Sequence, residues 1–384
     1  MKVVFNTDSL IMGGSEKLAM QYVKYLAKEF DVLLLINEDN GDEGNILLKE
    51  IPENVDYSFV VDKSIIAKIN KYRKLKNKNF LYKIPYNYFM KQRRKNYRKN
   101  IKKILETLDY DVFIDFACKL PCDLANKKTI TWLHTNMENM RKKHYYEKKF
   151  KKSQKVVVIT ENMKKQFKEA FPDIPNVEML YNPFDIEEIR REAINSENMS
   201  SQDLEYIKDK YILSCSRLDK NKDIESLILA FKGIKNKIDE KLYIIGDGPE
   251  RHNLENLVKE LRLEDRIVFL GTKVNPYIWM KNSDLFVHSS KEEGFGMVLV
   301  EALINECVVV ATDCPVGPRE ILDNGKYGIL TPVGDVEKMS SSILRGLNDK
   351  ELRKQLKELS HERITKFSDS EIFKQLRKLI LIKE

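Results

Sequence analysis

The sequence predicts an α/β protein made of two doubly wound domains, each with a parallel sheet covered by helices. The chain opens with a buried strand, a helix and a second strand within residues 1–36, which is the repeating unit of such a sheet. The same alternation begins again at Tyr211, after a polar and charged stretch at 183–208. The 384 residues suit roughly two or three domains of ordinary size.

The first domain is expected to occupy residues 1–195. Short apolar runs between turn residues predict strands there, at 3–6, 32–36, 111–116, 129–133 and 156–159. The run at 177–183 is expected to close the domain. A helix is expected from Ser15, whose hydroxyl can cap it, to Lys28. A second helix is expected from Thr160 to Ala170. Ligands of open parallel sheets bind at the carboxyl ends of the strands, so we expect the functional residues of this domain there.

The second domain is expected at 196–367, and a final helix at 368–384 is expected to pack back on the first domain. Apolar runs predict strands at 211–214, 241–245, 266–270 and 284–288. Helices are predicted to begin at Asp223 and Asp335, and another is predicted to end near Asn305. The alternation again indicates a parallel sheet.

The segment Lys63–Leu105 holds the basic charge of the protein. The net charge is +8, yet this segment contains sixteen Lys and Arg and no acidic residue, so the rest of the chain is net negative. The pattern predicts helices with a break at Pro85. Aromatic residues alternate with the basic ones, namely Phe80, Tyr82, Tyr86, Tyr88, Phe89 and Tyr97.

Three interpretations of this basic segment are possible. It can be a solvated helical face above a core, a helix at a membrane surface, or a nucleic-acid-binding surface. No motif of a nucleic-acid-binding module accompanies it in the sequence. We therefore expect Lys63–Leu105 to meet an anionic membrane surface, and we expect no nucleic acid as a partner.

Composition narrows the class of protein further. Hydrophobic residues make up 42% of the chain, which is typical of a folded globular protein, and no apolar run approaches the roughly 20 residues of a membrane-spanning helix. The five cysteines fit no zinc spacing and favour a reduced cytosolic setting. Residues 1–6 predict a strand, not a secretory leader. We expect a cytoplasmic protein at the inner face of the cell membrane.

The stretch 289–302 predicts an anion-binding site. It follows the strand at 284–288, passes through a turn with two glycines and enters a helix. The first N–H groups of a helix lack partners within it, and the helix dipole is positive there. The amides of Gly296, Met297 and Val298 are therefore predicted to face a diphosphate.

Two glutamates flank this turn and helix. Glu293 and Glu301 lie eight positions apart, which is roughly 12 Å at the rise of a helix and about the reach from the sugar to the ribose of a nucleotide-sugar. Glu293 could accept hydrogen bonds from sugar hydroxyls and Glu301 from ribose hydroxyls. Two glutamates alone would more often be ordinary acids on a surface helix.

The longer sequence context resembles a known family. The string from Ser289 to Ala302, continued by 308–313, resembles the glutamate–seven residues–glutamate motif of family-4 retaining glycosyltransferases, which have the GT-B fold. Ser216, Arg217 and Leu218, with Lys222 five positions after the arginine, resemble the diphosphate clamp of that family. Residues 314–320 resemble a variant found in members that assemble polysaccharides. Two departures are Glu306 and Ser216, where the family usually has glycine.

The resemblance implies a GT-B architecture, in which two Rossmann-like domains face each other across a cleft. It assigns His134 to the donor sugar, the loop of Gly14 to the donor phosphates and the acceptor, and the loop of Val274 to the base. The implied catalytic residues are His134, Glu293, Arg217 and Lys222. The implied donor-binding residues are Gly14, Val274, Phe295, Gly296, Met297, Val298 and Glu301.

The activity implied by the resemblance is the transfer of a hexose or N-acetylhexosamine from a nucleotide-sugar, in the first place a UDP-sugar, to an acceptor hydroxyl with retention of configuration. If the basic segment meets a membrane, the acceptor is a lipid-linked saccharide of capsule, O-antigen or similar polysaccharide synthesis. No Asp-x-Asp pair ends a predicted strand, so neither a metal nor a cofactor is expected. The alternative is a catalytically inactive GT-B-like scaffold that binds membrane or RNA.

Overall fold

The structure is a computed structural model of the chain, and it describes residues 1–11, 13–41, 44–134, 140, 143–197 and 199–381. The chain forms two compact units. The first contains 1–159, 164–180 and the chain from Arg377, and the second contains 160–163 and 181–376. The first unit thus ends at the Tyr-Asn-Pro sequence that begins at Tyr181, whereas the sequence predicts its limit at 195.

The first unit contains a sheet of seven parallel strands. Its strands are β1 (Lys2–Thr7), β2 (Asp31–Ile36), β3 (Asp56–Phe59), β4 (Val112–Asp115), β5 (Thr129–Leu133), β6 (Lys155–Val158) and β7 (Val177–Met179). Their spatial order is β3-β2-β1-β4-β5-β6-β7. The order reverses direction at β1, which is the switch point of a doubly wound sheet.

Among the residues that the structure describes, five α-helices connect these strands. They are α1 (Gly14–Leu26), α2 (Lys63–Lys76), α3 (Lys83–Thr107), α4 (Lys143–Lys152) and α5 (Glu161–Ala170). The predicted cap of α1 is wrong, because the helix is preceded by Gly13 and Ser15 Oγ donates to Glu16 Oε2 instead. Pro85 lies in the first turn of α3, where its missing N–H costs nothing, so the break of the basic segment falls before it, at 77–82.

The second unit contains a sheet of six parallel strands in the order β10-β9-β8-β11-β12-β13. The strands are β8 (Tyr211–Cys215), β9 (Lys241–Ile245), β10 (Ile267–Gly271), β11 (Leu285–His288), β12 (Val309–Thr312) and β13 (Ile329–Thr331). The predicted fold class, with two doubly wound parallel sheets, is therefore confirmed.

After α5, the described part of the chain contains ten further α-helices. They are α6 (Ile186–Glu192), α7 (Ser201–Tyr206), α8 (Ile224–Ile234), α9 (Arg251–Glu260), α10 (Tyr277–Asn282), α11 (Met297–Ile304), α12 (Pro318–Ile321), α13 (Val336–Asn348), α14 (Lys350–Ile364) and α15 (Asp369–Leu381). The end of α15 belongs to the first unit, where Arg377 Nε donates to Glu29 Oε2 over 2.6 Å. The last three residues of the helix predicted at 368–384 lie outside the described residues.

Each sheet is covered by apolar helix faces. In the second unit α8 and α13 pack against the sheet through residues such as Phe231, Met339 and Ile343. In the first unit the basic segment contributes to the core, because Ile69 and Ile101 are buried with residues of the sheet. None of the helices in the described part of the chain combines the length and the apolar character needed to span a bilayer.

A buried ion pair joins α4 to the first sheet. Lys149 Nζ lies 2.5 Å from Asp115 Oδ2, and both side chains are fully buried. The carboxylate also accepts the backbone N–H groups of Lys119 and Leu120. Burial alone would lower the pKa of Lys149, but the charge and hydrogen bond of Asp115, together with those of Cys118, outweigh burial and hold that pKa above its usual value. The buried ammonium therefore depends on Asp115 as its ionic partner.

Replacing Lys149 by Met is expected to lower the free energy of unfolding by roughly 3–5 kcal/mol, because Asp115 would keep a buried charge without its partner. Urea denaturation of the wild type and Lys149→Met measures this difference. Lys152→Met is the matched control, because Lys152 is exposed on the same helix. Equal losses in the two variants would contradict this account of the ion pair.

Candidate functional site

The side chain of Glu293 is the centre of a polar cluster at the carboxyl end of β11. Its Oε1 lies 2.5 Å from Lys222 Nζ and 2.7 Å from His288 Nε2, and it accepts a third hydrogen bond from Ser290 Oγ over 2.7 Å. The glutamate is only 10% exposed. The structure thus brings together Lys222 and Glu293, two of the residues predicted for catalysis.

The loops after β8 and β11 are joined by three further contacts. Ser289 Oγ donates to the carbonyl of Lys222 over 2.7 Å, and the backbone N–H of Lys291 donates to the carbonyl of Asn221 over 2.7 Å. The Lys291 ammonium lies 2.9 Å from Asp223 Oδ1. These contacts hold the Lys222 loop against the turn that carries Glu293.

Glu293 stays ionised in spite of its burial. Burial alone would raise the pKa of this carboxyl, but the hydrogen bonds and charges of His288 and Lys222 outweigh it and hold the pKa at about 2. A carboxylate in this state can only accept hydrogen bonds. It is therefore suited to bind hydroxyl groups and unsuited to act as a general acid.

The helix after this turn begins at a position that requires glycine. Gly296, which precedes α11, has φ +97°, a conformation that a residue with a Cβ rarely adopts. Gly317 has φ +93°, and a Cβ there would lie 1.9 Å from the carbonyl oxygen of Phe295. The side chain of Phe295 is buried against Tyr181, Phe184 and Phe367. Only the backbone of Phe295 can therefore serve the predicted donor-binding role.

Glu301 lies inside α11, close to the carboxyl end of β8. Burial, and to a smaller extent the negative charge of Glu301, raises the pKa of Cys215 to about 12. The pKa of Tyr277 is also raised, first by burial and next by the charge of Glu301. Arg217 follows Cys215 by two positions, so the guanidinium and this carboxylate belong to the same edge of the sheet. The Arg217 side chain is 73% exposed, and its Nε lies 3.9 Å from Asp219 Oδ2.

Three other predicted site residues belong to elements that do not contribute to the Glu293 cluster. His134 follows β5 in the first unit, and its ring packs on Phe116 with centroids 4.4 Å apart. Burial lowers the pKa of His134 to about 4, and its Nε2 has no hydrogen-bond partner among the residues that the structure describes. Gly14 begins α1 in the first unit, and Val274 is exposed in the loop after β10. Their predicted roles stay predictions.

Two members of the Glu293 cluster were not predicted from the sequence, His288 and Ser290. Both lie within five positions of the glutamate, at and just after the end of a strand. An ionisable residue at the carboxyl end of a parallel strand is the signal that could have identified His288. Within the described part of the chain, no group of three or more His, Cys, Asp or Glu is arranged to hold a metal ion.

Comparison with known proteins identifies similar sequences. Residues 195–363 match the family described as glycosyl transferases group 1. An uncharacterized glycosyltransferase of Methanocaldococcus jannaschii is 30% identical over 295 residues, which cover 66% of this chain and 72% of the relative. The N-acetylgalactosamine-N,N'-diacetylbacillosaminyl-diphospho-undecaprenol 4-alpha-N-acetylgalactosaminyltransferase of Campylobacter jejuni is 37% identical over 204 residues. The chain spans about half of that relative, since the match covers 53% of each protein.

Solved structures share the fold at low sequence identity. Anabaena HepE in complex with UDP and glucose superimposes with a TM-score of 0.71 at 19% identity, covering 99% of each chain. WaaG, a glycosyltransferase involved in lipopolysaccharide biosynthesis, has a TM-score of 0.70 at 15% identity, covering 99% of this chain and all of the other. At this level of identity the likeness concerns the fold alone.

The ionisation of Glu293 should appear in the pH dependence of stability. Its pKa is about 2 in the folded protein against an ordinary value of 4.5, so the unfolded chain takes up the proton first as the pH falls. The stabilisation, about 3 kcal/mol for a shift of this size, is complete above about pH 5 and is lost as the pH falls through the folded pKa. Relative to Glu293→Gln, the wild type should lose about 2 kcal/mol between neutral pH and about pH 3.

Urea denaturation of both proteins at the two pH values measures this loss. Glu292→Gln is the matched control, because Glu292 is the exposed neighbouring acid. A constant difference between the wild type and Glu293→Gln across this range would contradict the depressed pKa.

Proposed function

Because the chain belongs to the family of group 1 glycosyl transferases, with the GT-B fold, we propose that it is a retaining glycosyltransferase. The proposed reaction moves a hexose or N-acetylhexosamine from a UDP-sugar to a hydroxyl of a lipid-linked saccharide in cell-surface polysaccharide synthesis. The observation that carries this proposal is the contact of Lys222 with Glu293 directly before the glycine-led start of α11.

The chemistry of glycosyl transfer explains why these groups belong together. When the bond between the sugar and the diphosphate breaks, negative charge develops on the leaving diphosphate. Lys222, the exposed Arg217 and the unpaired amides at the start of α11 can stabilise that charge, which is electrostatic catalysis by groups already in place. Protein cations would then take the role that a metal ion has in other transferases, so we propose a metal-independent reaction.

Glu293 has a binding role in this proposal. Its ionised carboxylate accepts hydrogen bonds from hydroxyls of the donor sugar, while Glu301, eight positions further along, accepts from the ribose hydroxyls. His134 is proposed to contact the donor sugar. Since the pKa of His134 is about 4, its imidazole is neutral at pH 7 and offers one donor and one acceptor nitrogen.

The proposed substrates are suggested by the relatives. The name of the Campylobacter jejuni relative specifies a diphospho-undecaprenol-linked saccharide as its acceptor, and relatives in Rhizobium meliloti are lipopolysaccharide core glycosyltransferases. The Anabaena HepE structure contains UDP. For this chain we accordingly propose a UDP-sugar donor, a lipid-linked acceptor and a location at the inner face of the cell membrane.

Incubation with a panel of UDP-sugars and lipid-linked saccharides should release UDP and yield an extended acceptor, detected by mass spectrometry. Glu293→Gln and Lys222→Ala are each expected to lower kcat/KM by about 10²–10³-fold, because each removes a preorganised polar contact with the donor. Glu292→Gln and Lys220→Ala are matched controls, since both residues are exposed neighbours of the same charge. They should retain the wild-type rate.

Two results would count against the proposal. Equal turnover in Glu293→Gln and the wild type would remove the role given to this carboxylate. A wild-type protein that transfers no sugar from any nucleotide-sugar donor, but still binds vesicles or RNA, would favour the inactive scaffold.

A further inference from the structure

The turn between α2 and α3, together with the start of α3, exposes a group of large apolar and aromatic side chains that are close in sequence. These residues, called the α2–α3 tip below, lie between residues 80 and 88. The exposed members are Phe80 (69%), Leu81 (57%), Tyr82 (38%), Ile84 (69%) and Tyr88 (54%). Single exposed apolar residues are ordinary on a protein surface, but a contiguous apolar group marks an interaction surface.

Contacts between α2 and α3 hold the α2–α3 tip in place, while its exposed side chains remain uncovered by the rest of the protein. Tyr72 of α2 stacks on Phe89 of α3 with ring centroids 5.6 Å apart, and its centroid lies 6.2 Å from that of Tyr82. The Lys76 ammonium lies 3.8 Å from the centre of the Tyr86 ring. These contacts join the two helices below the tip, so the exposed side chains stay in water unless a partner covers them.

Cations continue the same face of α3 beyond the tip. Lys91, Lys95 and Lys99 follow Ile84 and Tyr88 at the spacing of three or four that places residues on one side of a helix. All three lysines are exposed. None has an acidic partner within the part of the chain that the structure describes. The face therefore passes from apolar to basic along its length.

We infer that the α2–α3 tip inserts into the headgroup region of an anionic bilayer while the lysines of α3 contact lipid phosphates. An apolar end bordered by cations is the chemistry of a segment that lies in a membrane interface. The aliphatic side chains of Leu81 and Ile84 favour lipid over RNA, because they cannot stack on bases as aromatic rings do. The inference deepens the proposed function. It rests on that function in one respect only, namely that the acceptor is linked to a lipid.

A tryptophan placed at the tip tests the insertion directly. The two natural tryptophans, Trp132 and Trp279, are buried, so a new residue in Phe80→Trp reports from its own position. Vesicles of phosphatidylcholine and phosphatidylglycerol in equal parts should shift its fluorescence to the blue, and brominated lipids should quench it. Ile194→Trp, at a position that is 77% exposed, is the matched control and should show neither effect.

Two triple variants separate the apolar and basic contributions. Replacing Phe80, Leu81 and Ile84 by Ser should weaken vesicle binding about 100-fold at any salt concentration, because less apolar surface is buried. Replacing Lys91, Lys95 and Lys99 by Gln should weaken binding about 100-fold at low salt but little at high salt. The matched control for the apolar variant replaces Ile194, Leu204 and Val333 by Ser, because these apolar residues are exposed at other places on the surface.

Absence of the blue shift, or unchanged vesicle binding in the apolar triple variant, would overturn the inference. Tight binding of a single-stranded RNA that ignores the apolar triple variant, together with no vesicle binding, would assign the surface to nucleic acid instead. Vesicle binding needs no donor sugar. A protein that binds vesicles through the tip but transfers no sugar would therefore refute the proposed function and leave this inference standing.

A second inference, carried by different contacts, concerns His288 at the end of β11. This histidine is 3% exposed in its side chain, and its Nε2 lies 2.7 Å from Glu293 Oε1. Since Nε2 faces a carboxylate, it is the nitrogen that donates. Three donors, on His288, Lys222 and Ser290, therefore converge on one oxygen, and among the described residues none donates to Oε2.

We infer that His288 is a positioning residue that fixes the rotation of Glu293 so that Oε2 can accept a hydroxyl of the transferred sugar. The histidine is itself held in place, because its backbone pairs with Ala311 in β12 and its carbonyl lies 3.5 Å from Thr312 Oγ1. This inference also rests on the proposed function. It assigns to His288 a role through Glu293 and not a contact with the substrate.

His288→Leu removes the donor at this position, and His288→Gln retains an N–H near the place of Nε2. The leucine variant should lower kcat/KM for the UDP-sugar about 100-fold, since a small displacement of a binding group has effects of that size. Its affinity for free UDP, which lacks the sugar, should stay within about two-fold. The glutamine variant should recover most of the lost rate, and a merely structural role would affect UDP binding and sugar transfer together.

Carbon-13 titration of the Glu293 carboxyl provides a readout that needs no turnover. The pKa of Glu293 should rise in His288→Leu and stay low in His288→Gln. An unchanged pKa and an unchanged kcat/KM in the leucine variant would overturn this inference while leaving the proposed function intact. A wild-type protein without any transfer, but with the expected pKa response, would refute the proposed function and the sugar contact together.

Discussion

The second unit depends on keeping one nearly buried carboxylate ionised. Burial alone would favour the neutral form of Glu293, but the contacts with His288 and Lys222 hold its pKa at about 2. A charge removed from water needs partners at hydrogen-bond distance, and these partners come from two segments, the end of β11 and the loop after β8. The loops after β8 and β11 must therefore meet, which the contacts from Ser289 to the Lys222 carbonyl and from Lys291 to the Asn221 carbonyl achieve.

The backbone around the start of α11 is also restricted sterically, in addition to the electrostatic requirement of Glu293. Gly317 approaches the carbonyl of Phe295 so closely that no Cβ would fit, and Gly296 adopts a left-handed conformation directly before α11. Meanwhile the Phe295 ring is fixed in an aromatic cluster. The start of α11 is thus held from both sides, so its unpaired amides have a defined direction before any ligand arrives.

Prediction from the sequence succeeded where burial dominates and failed where exposure or side-chain direction decides. Strands β5 and β9 were predicted with their observed limits, because continuous apolar runs in a parallel sheet permit few alternatives. Strand β3 was missed, since three of its four residues are exposed at the edge of the sheet. Two separate motifs pointed to Glu293 and Lys222, and the structure brings these two side chains into contact. The place of His288 at a strand end is visible in the sequence, but the direction of its ring towards Glu293 is visible only in the structure.

The basic segment shows that residues of the same type, in the same sequence context, can have different environments in the folded protein. Tyr97 and Tyr88 both lie among lysines and arginines, but Tyr97 is 8% exposed and packs in the core, whereas Tyr88 is 54% exposed. The difference arises because nine positions of a helix correspond to two and a half turns, which places the two tyrosines on opposite faces. The side of α3 that carries Tyr97 completes the core of the first unit, as a helical face above a core requires. The membrane contact that we propose concerns the opposite side, which carries Tyr88 and is exposed.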